Sequence, residues 1–269
     1  MRHSGAVIVF VCAALLSSYP ALAQFTQEGP KLVGTGASPN AQQGFQVALA
    51  ADGNTAIVGG RIDSVDGAAW VWTKSGGVWT QQGAKLVGSG AVGDAQQGIS
   101  ASLSADGNTA MVGGYFDNNG DGAAWVWTRS GGVWSQQGAK LVGSGAVGNA
   151  LQGVSVSASA DGNTVFVGGD GDNNGVGAAW VWTRSGGVWT QLGSKVVGSG
   201  AVGLAEQGSS VSLSGDGNTA ISGGLGDNRN TGAAWVFAIN AAAIPPLSDR
   251  ALLALAALLA LLGAMRIRT

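Results

Sequence analysis

Carboxylates are the most numerous side chains in this sequence that could do chemistry. Four similar segments each contain the tetrapeptide DGNT, which begins at Asp52, Asp106, Asp161 and Asp216. Paired carboxylates can hydrolyse glycosides, and clustered carboxylates can bind calcium. The single cysteine and the single histidine both lie near the N-terminus, at Cys12 and His3. The rest of the chain therefore cannot build a cysteine nucleophile, a Ser-His-Asp triad, a disulfide or a His/Cys zinc site.

A second group of acidic residues lies in the longer segments between the DGNT turns. Arg61 and Arg229 are the cations that oppose it. Because loops on a rigid scaffold are common recognition sites, we predict that this group binds a partner, the alternative being a solvated acidic surface. Its members are Asp63, Asp66, Asp94, Asp117, Asp121, Asp170, Asp172, Glu206 and Asp227.

One of these segments also resembles the start of a calcium-binding loop. Asp117, Asn119 and Asp121 precede Gly122, but Thr128 stands where a closing carboxylate is needed. Calcium binding is therefore a weak hypothesis for this segment, and no other cofactor is predicted. The DGNT aspartates are expected to stabilise tight turns instead, because two turn residues cannot supply a full set of oxygen ligands.

The charge balance disfavours nucleic acid as a partner. Residues 24–247 contain nine Lys or Arg and fourteen Asp or Glu. A mildly acidic surface has the wrong sign for binding phosphates.

The elements that must position these residues repeat along the chain. The tetrapeptide GAAW begins at Gly67, Gly122, Gly177 and Gly232, which is a period of 55 residues. Each unit contains four short segments rich in β-branched and aromatic residues, separated by Gly, Asp, Asn and Ser. The pattern predicts an antiparallel four-stranded meander, with type I′ turns at Asp106-Gly107 and at Gly131-Gly132.

The third strand of each unit is apolar on both faces, since Trp125 and Trp127 alternate with Ala124 and Val126. Such a strand must be covered on both sides, as in the stacked blades of a β-propeller. We therefore predict an all-β, four-bladed propeller in which the ten tryptophans pack between blades. An aromatic platform for sugars is the alternative for these tryptophans.

The phase of the repeats predicts how the ring closes. The last unit lacks a fourth strand, and residues 25–34 (FTQEGPKLVG) resemble that missing strand, with Phe25 in the place of Trp79. We expect this N-terminal strand to close the last blade, at residues 208–240, and so to remove a free sheet edge. An open fragment, or a solenoid that pairs with other chains, is the alternative.

The unit QGISASLSADGNTAMVGG…GAAWVWTRSGGVW resembles the FG-GAP repeat of integrin α-subunit propellers and of many secreted bacterial proteins. The resemblance covers residues 25–240 and implies a β-propeller. The family's Phe-Gly pair is replaced by Gln-Gly, at Gly44, Gly98, Gly153 and Gly208. The long acidic calcium loop of integrin-type repeats is replaced by the DGNT turn, so calcium is not carried over to those aspartates.

The N-terminus has the features of a secretory signal peptide. A basic start is followed by an apolar run over residues 6–16 and by a small-x-small site before Ala23-Gln24. We expect cleavage between Ala23 and Gln24. A buried N-terminal helix is the alternative.

The C-terminus is apolar and ends in basic residues. Residues 251–265 carry no charge and would be about 22 Å long as a helix. The stretch IPPLSDRALLALAALLALLGAMRIRT resembles the IPTL-CTERM class of sorting signals, related to PEP-CTERM. The resemblance implies an exosortase-like partner that cleaves near the motif formed by Ile244, Pro245, Pro246, Leu247 and Ser248. A simple membrane anchor is the alternative.

These observations predict the following organisation: a signal peptide at 1–23, a propeller at 24–240, a linker with the sorting motif at 241–250, a transmembrane helix at 251–265 and a basic cytoplasmic end at 266–269. The propeller repeats are expected at about 25–77, 78–132, 133–187 and 188–240. The predicted function is that of an exported, surface-associated, non-enzymatic binding or adhesion protein, with an extracellular protein or polysaccharide as its partner. A secreted carbohydrate-active enzyme is the alternative, because carboxylates alone can hydrolyse glycosides.

Overall fold

The computed structural model describes residues 25–238. The predicted signal-cleavage site, the sorting motif, the two terminal hydrophobic helices and the basic end lie outside these residues. Residues 25–30 belong to a unit separate from the residues that follow and contain no helix or strand. Within the described part of the chain, no helix has the length and apolar character needed to cross a membrane.

Residues 31–238 form four antiparallel sheets in a row, which confirms the all-β class and the meander predicted for each unit. Each sheet is built from strands that are consecutive in sequence. The first contains β1 (Gln46–Leu49), β2 (Thr55–Gly60), β3 (Ala68–Ser75) and β4 (Val78–Gln81). The second contains β5 (Ser100–Leu103), β6 (Thr109–Gly114), β7 (Ala123–Ser130) and β8 (Val133–Gln136). The third contains β9 (Ser155–Ala158), β10 (Thr164–Gly169), β11 (Ala178–Ser185) and β12 (Val188–Gln191), and the last has β13 (Gln207–Leu213), β14 (Thr219–Gly224) and β15 (Ala233–Ala238).

Consecutive sheets pack face to face in a propeller-like order. The first strands of the units, β1, β5, β9 and β13, are neighbours in that sequence. Residues of all four of these strands, Gln46, Ser100, Ser155 and Ser210 among them, line one cavity of about 240 Å³. The four sheets therefore converge on a common region through their first strands.

Five tryptophans of the third strands in the first three sheets lie in the core, as their alternation predicts. Trp70, Trp125 and Trp180 are fully buried, and each indole N–H donates to a backbone carbonyl of the loop that precedes its own sheet. For Trp125 that carbonyl belongs to Ser89, at 2.9 Å. Burial of such a large apolar ring with its single polar atom satisfied is a stable arrangement.

Of the two tight turns predicted as type I′, one is correct and one is wrong. Gly131 and Gly132 both have positive φ and join Ser130 to its partner Val133, as a two-residue type I′ turn requires. At Asp106-Gly107 only the glycine has positive φ. The carboxylate of Asp106 accepts hydrogen bonds from the Asn108 amide and the Ser104 hydroxyl, and these bonds stabilise a longer loop.

Three short single turns, α1 (Asp117–Gly120), α2 (Asp172–Gly175) and α3 (Asp227–Asn230), lie in the loops between second and third strands. They are not regular helices, because two interior residues of each turn have left-handed φ and ψ. In α1 these residues are Asn118 and Asn119. Asparagine tolerates this conformation better than most residues, which explains its presence at both positions.

The structure does not show the predicted closure of the last sheet by residues 25–34. These residues contain no strand, and β15 pairs only with β14 among the described strands. The Gly34 amide donates to the Gln43 side chain, and the Trp70 indole donates to the Thr35 carbonyl. The end of the segment is thus held on the first sheet, and an extended segment becomes a strand only where a partner strand accepts its hydrogen bonds.

Candidate functional site

The long loops of neighbouring units lie side by side on one surface. The loop after β2 forms a parallel bridge with the loop before β5, through Gly67 and Gln97. The same bridge recurs between Gly122 and Gln152 and between Gly177 and Gln207. The structure therefore brings together the loops that carry the predicted acidic group.

Four of the nine predicted binding residues are buried structural residues, which corrects their assignment to a partner. Asp63, Asp117 and Asp172 are 1% exposed and Asp227 is 8% exposed. One oxygen of each carboxylate accepts a backbone N–H from the loop that precedes its own sheet, for example that of Val92 to Asp117 at 2.8 Å. The equivalent donors are Ser38 for Asp63, Val147 for Asp172 and Val202 for Asp227.

The second oxygen of three of these carboxylates forms an ion pair. The partners are Lys85 for Asp63, Lys140 for Asp117 and Lys195 for Asp172. Burial alone would raise the pKa of Asp63, but the hydrogen bonds from Lys85 and from the Ser38 amide and hydroxyl outweigh it and hold the pKa below the usual value. These carboxylates connect one loop to the next and cannot contact a partner.

The calcium hypothesis for Asp117, Asn119 and Asp121 fails for the same reason. The Asp117 carboxylate is occupied by Lys140 and by the Val92 amide. Asp121 accepts a hydrogen bond from the Asn118 side chain, and residues 25–238 contain no cluster of three or more acidic, His or Cys groups able to hold a metal. The first ligand of the candidate set is therefore already paired within the loop.

Five predicted residues remain at least partly accessible, and we call them the acidic loop surface. They are Asp66, Asp94, Asp121, Asp170 and Glu206. Arg61 and Arg229 oppose this charge, and the Arg61 guanidinium lies 4.5 Å from the centre of the Phe45 ring and donates to the side chains of Gln42 and Gln96. The five carboxylates outnumber these two cations, so the surface has a net negative charge without any contribution from the four buried carboxylates.

Asp170 is the most perturbed member of the acidic loop surface. Burial raises its pKa above the usual value, and the negative charge of Glu206 raises it further. Its Oδ1 atom is buried and has no hydrogen-bond partner in the described structure. The equivalent positions in the other units are Arg61, Tyr115 and Leu225, so this environment is particular to the third unit.

The opposite surface carries the tight turns, and there the turn aspartates have structural roles as predicted. Each accepts a backbone N–H two residues later, at 2.9 to 3.0 Å. The Ser159 hydroxyl, the Asn163 amide and Arg184 lower the pKa of Asp161, the Ser159 hydrogen bond being the largest cause. These interactions stabilise the turn and leave no open ligand set.

Two equivalent grooves on the molecule are lined by tryptophan, but the more exposed ring in each is already engaged. One of about 240 Å³ includes Trp127 and Trp134, and its counterpart of about 260 Å³ includes Trp182 and Trp189. The Arg129 guanidinium lies 5.3 Å from the centre of the Trp134 ring, and the Trp134 indole donates to Gln82. One face of that ring is therefore covered by the protein itself.

Sequence reasoning missed a glutamine that holds each junction together. The side chain of Gln97 is fully buried, accepts the Gly88 N–H at 2.6 Å and donates to the Gly88 carbonyl at 3.1 Å. Gln43, Gln152 and Gln207 make the same pair of bonds with Gly34, Gly143 and Gly198. The signal was present as Gln-Gly in all four units, where the FG-GAP pattern has Phe-Gly.

No protein-family model matches this sequence, and no curated protein matches it. Among solved structures, the hydrazine synthase of Kuenenia stuttgartiensis is 13% identical with a TM-score of 0.47, covering 78% of this chain and 50% of its own. A TolB-type protein of Agrobacterium tumefaciens is 14% identical with a TM-score of 0.45, covering 73% of this chain and 58% of its own. The chain thus spans about half the length of the proteins it resembles in structure.

Proposed function

We propose that this chain is an exported, non-enzymatic binding protein whose propeller-like body presents the acidic loop surface to a cationic partner. The observation that carries the proposal is the way the loops are held. Each of the three junctions has a buried glutamine bonded to a glycine and a buried aspartate paired with a lysine. Loops fixed in this way present their exposed carboxylates without an ordering cost on binding.

The accessible carboxylates define the chemistry of the partner. Asp66, Asp94 and Asp121 are at least partly exposed and lie in the loops of the first two units. A row of negative charges favours a polymer with repeated positive charges, such as a basic protein segment or an amino-bearing polysaccharide. Binding of this type weakens as ionic strength rises, because salt screens exposed charges beyond about 10 Å at 0.1 M.

The test is a binding measurement with chitosan oligomers and with polylysine as separate probes. The full chain is compared with a variant carrying Asp66→Asn, Asp94→Asn and Asp121→Asn. A control variant removes the same charge from the other surface through Asp52→Asn, Asp161→Asn and Asp216→Asn, where asparagine retains the oxygen that accepts the turn hydrogen bond. We expect the first variant to lose at least about tenfold in affinity for one probe and the control to retain it. Equal affinity of both variants for both probes, or no binding by the parent chain at low salt, contradicts the proposal.

Export and surface association are part of the same proposal and rest on the sequence of the two ends. Cleavage at Ala23-Gln24 would release the signal peptide, and an exosortase-like enzyme would act near residues 244–248. Mass spectrometry of the chain from cells with and without such an enzyme tests both steps. Identical C-termini in the two strains would favour the simple anchor instead.

One observation favours the alternative of a carbohydrate-active enzyme. Glycoside hydrolysis needs two carboxylates with different pKa values, and Asp170 has a raised pKa beside Glu206. The variants Asp170→Asn and Glu206→Gln should each abolish hydrolysis of a polysaccharide if this alternative is correct. The absence of hydrolysis by the parent chain over a panel of bacterial polysaccharides would eliminate it.

A further inference from the structure

The interface between consecutive sheets is built in the same way three times. The face of each sheet that points to the next one carries an apolar residue on the second strand and two on the third. In the first three sheets these residues are at most 4% exposed, and they are Ile57, Ala69 and Val71, then Met111, Ala124 and Val126, then Phe166, Ala179 and Val181. The facing side of the following sheet contributes residues of its first and second strands, for example Ala101 and Val112 in the second sheet.

The last sheet has the same face but nothing described covers it. Ile221 is 41% exposed and Val236 is 68% exposed, whereas their counterparts Phe166 and Val181 are 0% and 4% exposed. Ala234 is exposed as well. The last sheet therefore presents one complete half of the repeated interface to solvent.

The first sheet presents the other half. Val47 is 63% exposed and Leu49 is 59% exposed on β1. The residues that occupy the place of Val47 in the second and third sheets, Ala101 and Val156, are 4% and 8% exposed. The two ends of the row of sheets thus carry complementary halves of an interface that the chain already forms three times.

The chain also contains a segment equivalent to the one that the last sheet lacks. At each complete junction the segment after the fourth strand bonds back to the third strand of its own sheet, as when Ala69 and Leu86 exchange backbone hydrogen bonds of 3.0 and 2.7 Å. Ala234 is the equivalent of Ala69, and residues 25–34 are the equivalent of residues 79–88. Leu32 is therefore the counterpart of Leu86, and β15 is left with an unpaired outer edge in the described structure.

The Asp-Lys ion pairs show the same correspondence between the last sheet and the N-terminal segment. Lys85, Lys140 and Lys195 each pair with a buried aspartate of the sheet they follow. Asp227 is the fourth such aspartate and is 8% exposed, yet no ion pair to it is formed within residues 25–238. Lys31 stands in the equivalent position of the N-terminal segment and is exposed. A buried carboxylate without a cation is a site that a neighbouring lysine would stabilise.

We propose that these features are one site for a second copy of this chain, joined head to tail. Residues 25–34 of one copy add a strand to β15 of the next, Leu32 bonds to Ala234, Lys31 pairs with Asp227, and the Val47 face covers the Val236 face. The three interfaces within residues 31–238 are equivalent, and within the described part of the chain nothing covers the outer faces of the first and last sheets. A head-to-tail contact of this kind closes into a ring of two or more copies or continues as a filament.

Disulfide trapping tests the proposed contact between Leu32 and Ala234. Residues that exchange both backbone hydrogen bonds are about 5.5 Å apart at Cα, within the range that a disulfide spans. The full chain is purified in mild detergent with Cys12→Ser as the background, and Leu32→Cys and Ala234→Cys are made in separate copies. We expect mild oxidation of the mixture to give a covalent dimer in high yield. A mixture of Leu32→Cys with Val133→Cys, an equally accessible site away from the interface, should stay monomeric.

The doubly substituted chain separates the proposal from closure within one chain. With Leu32→Cys and Ala234→Cys in the same copy, head-to-tail contact gives covalent multimers at low micromolar concentration. A single-chain disulfide, seen as a monomer of altered mobility, would show that the chain closes on itself and would overturn the proposal. The absence of any cross-link would overturn it as well.

A second measurement does not depend on cysteine chemistry. Val236→Asp and Val47→Asp each block one half of the interface, and Val133→Asp changes a valine that is 69% exposed on the edge strand of the second sheet. We expect the parent and Val133→Asp to form multimers by analytical ultracentrifugation, while each blocked variant is monomeric. Mixing the two blocked variants should restore one contact and give dimers. Dimers that persist in Val236→Asp alone would contradict a head-to-tail arrangement.

Discussion

The contact between a loop glycine and a buried tryptophan predicts a large effect of one methyl group. A Cβ at Gly143 would lie 2.1 Å from Cδ1 and 2.4 Å from Cγ of Trp180, which is fully buried. Ordinary carbon contacts are about 3.5 to 4.0 Å, so Gly143→Ala must displace the indole or the loop by more than about 1 Å. The displacement also weakens the 2.9 Å hydrogen bond from the indole to the Ser144 carbonyl.

The expected loss of stability has two contributions, and a third effect offsets part of them. Overpacking of a dense core costs about 1 to 3 kcal/mol, and the loss of the hydrogen bond costs about 1 kcal/mol. Removing a glycine from the unfolded chain offsets up to about 1 kcal/mol of this. We therefore expect Gly143→Ala to lower the free energy of unfolding by about 2 to 3 kcal/mol.

The chain contains two matched controls for this substitution. A Cβ at Gly198 meets the Trp235 indole at 2.2 Å, but Trp235 is partly exposed in the last sheet and can move. A Cβ at Gly215 has no atom closer than 3.6 Å. We expect the loss of stability to be about 1 kcal/mol for Gly198→Ala and close to zero for Gly215→Ala.

Urea unfolding followed by tryptophan fluorescence measures these differences at a protein concentration low enough to keep the chain monomeric. With a slope of about 2 to 3 kcal/mol per M, Gly143→Ala should shift the midpoint by about 1 M. If Gly143→Ala and Gly215→Ala unfold at the same urea concentration, the close glycine-tryptophan packing described here is refuted.

Substitutions at three further positions test buried polar groups. Asp117→Asn removes the ion pair to Lys140, whose side chain is 19% exposed, and should cost about 2 to 3 kcal/mol in urea unfolding. Gln152→Leu leaves the N–H and the carbonyl of Gly143 buried without partners and should cost about 3 kcal/mol by the same assay, whereas Gln152→Glu should restore only the acceptor. The raised pKa of Asp170 means that its ionised form destabilises the fold, so stability should fall as pH rises from the ordinary value of 3.8 through the raised pKa. Asp170→Asn should remove that dependence, being more stable than the parent at pH 7.5 and equal to it below pH 3.8 in thermal unfolding scans.

The local sequence pattern was sufficient to predict the strands, because the alternation of side chains that indicates a strand involves only neighbouring residues. The alternation around Trp125 and the glycine pair Gly131-Gly132 led to strands and a turn that the structure contains. The turn at Asp106-Gly107 was assigned the wrong type, because an aspartate followed by a glycine is compatible with both a two-residue turn and a longer loop. The Ser104 and Asn108 hydrogen bonds to the Asp106 carboxylate decide between them.

The acidic residues of the long loops show that a sequence pattern cannot by itself distinguish a binding residue from a structural one. Asp66 and Asp63 are three residues apart in one loop, yet the first is partly accessible and the second is buried. Whether a loop carboxylate is a binding group or an internal ion pair depends on a lysine that arrives about 22 residues later from the end of the same sheet. Charge counting cannot distinguish the two roles, because both place an aspartate in a polar loop.

The sequence alone determined the 55-residue period, the all-β class, the four-stranded unit and the burial of Trp70, Trp125 and Trp180, since each depends on residues close together in one unit. Only the tertiary structure decided which carboxylates are buried and that Gln97 and its equivalents hold the junctions. These depend on the rotation from one sheet to the next, which is set by packing across the interface. That rotation depends on contacts between units. The same repeated units would be present in the sequence of a closed ring and of an open row, so the repeat pattern does not specify the rotation.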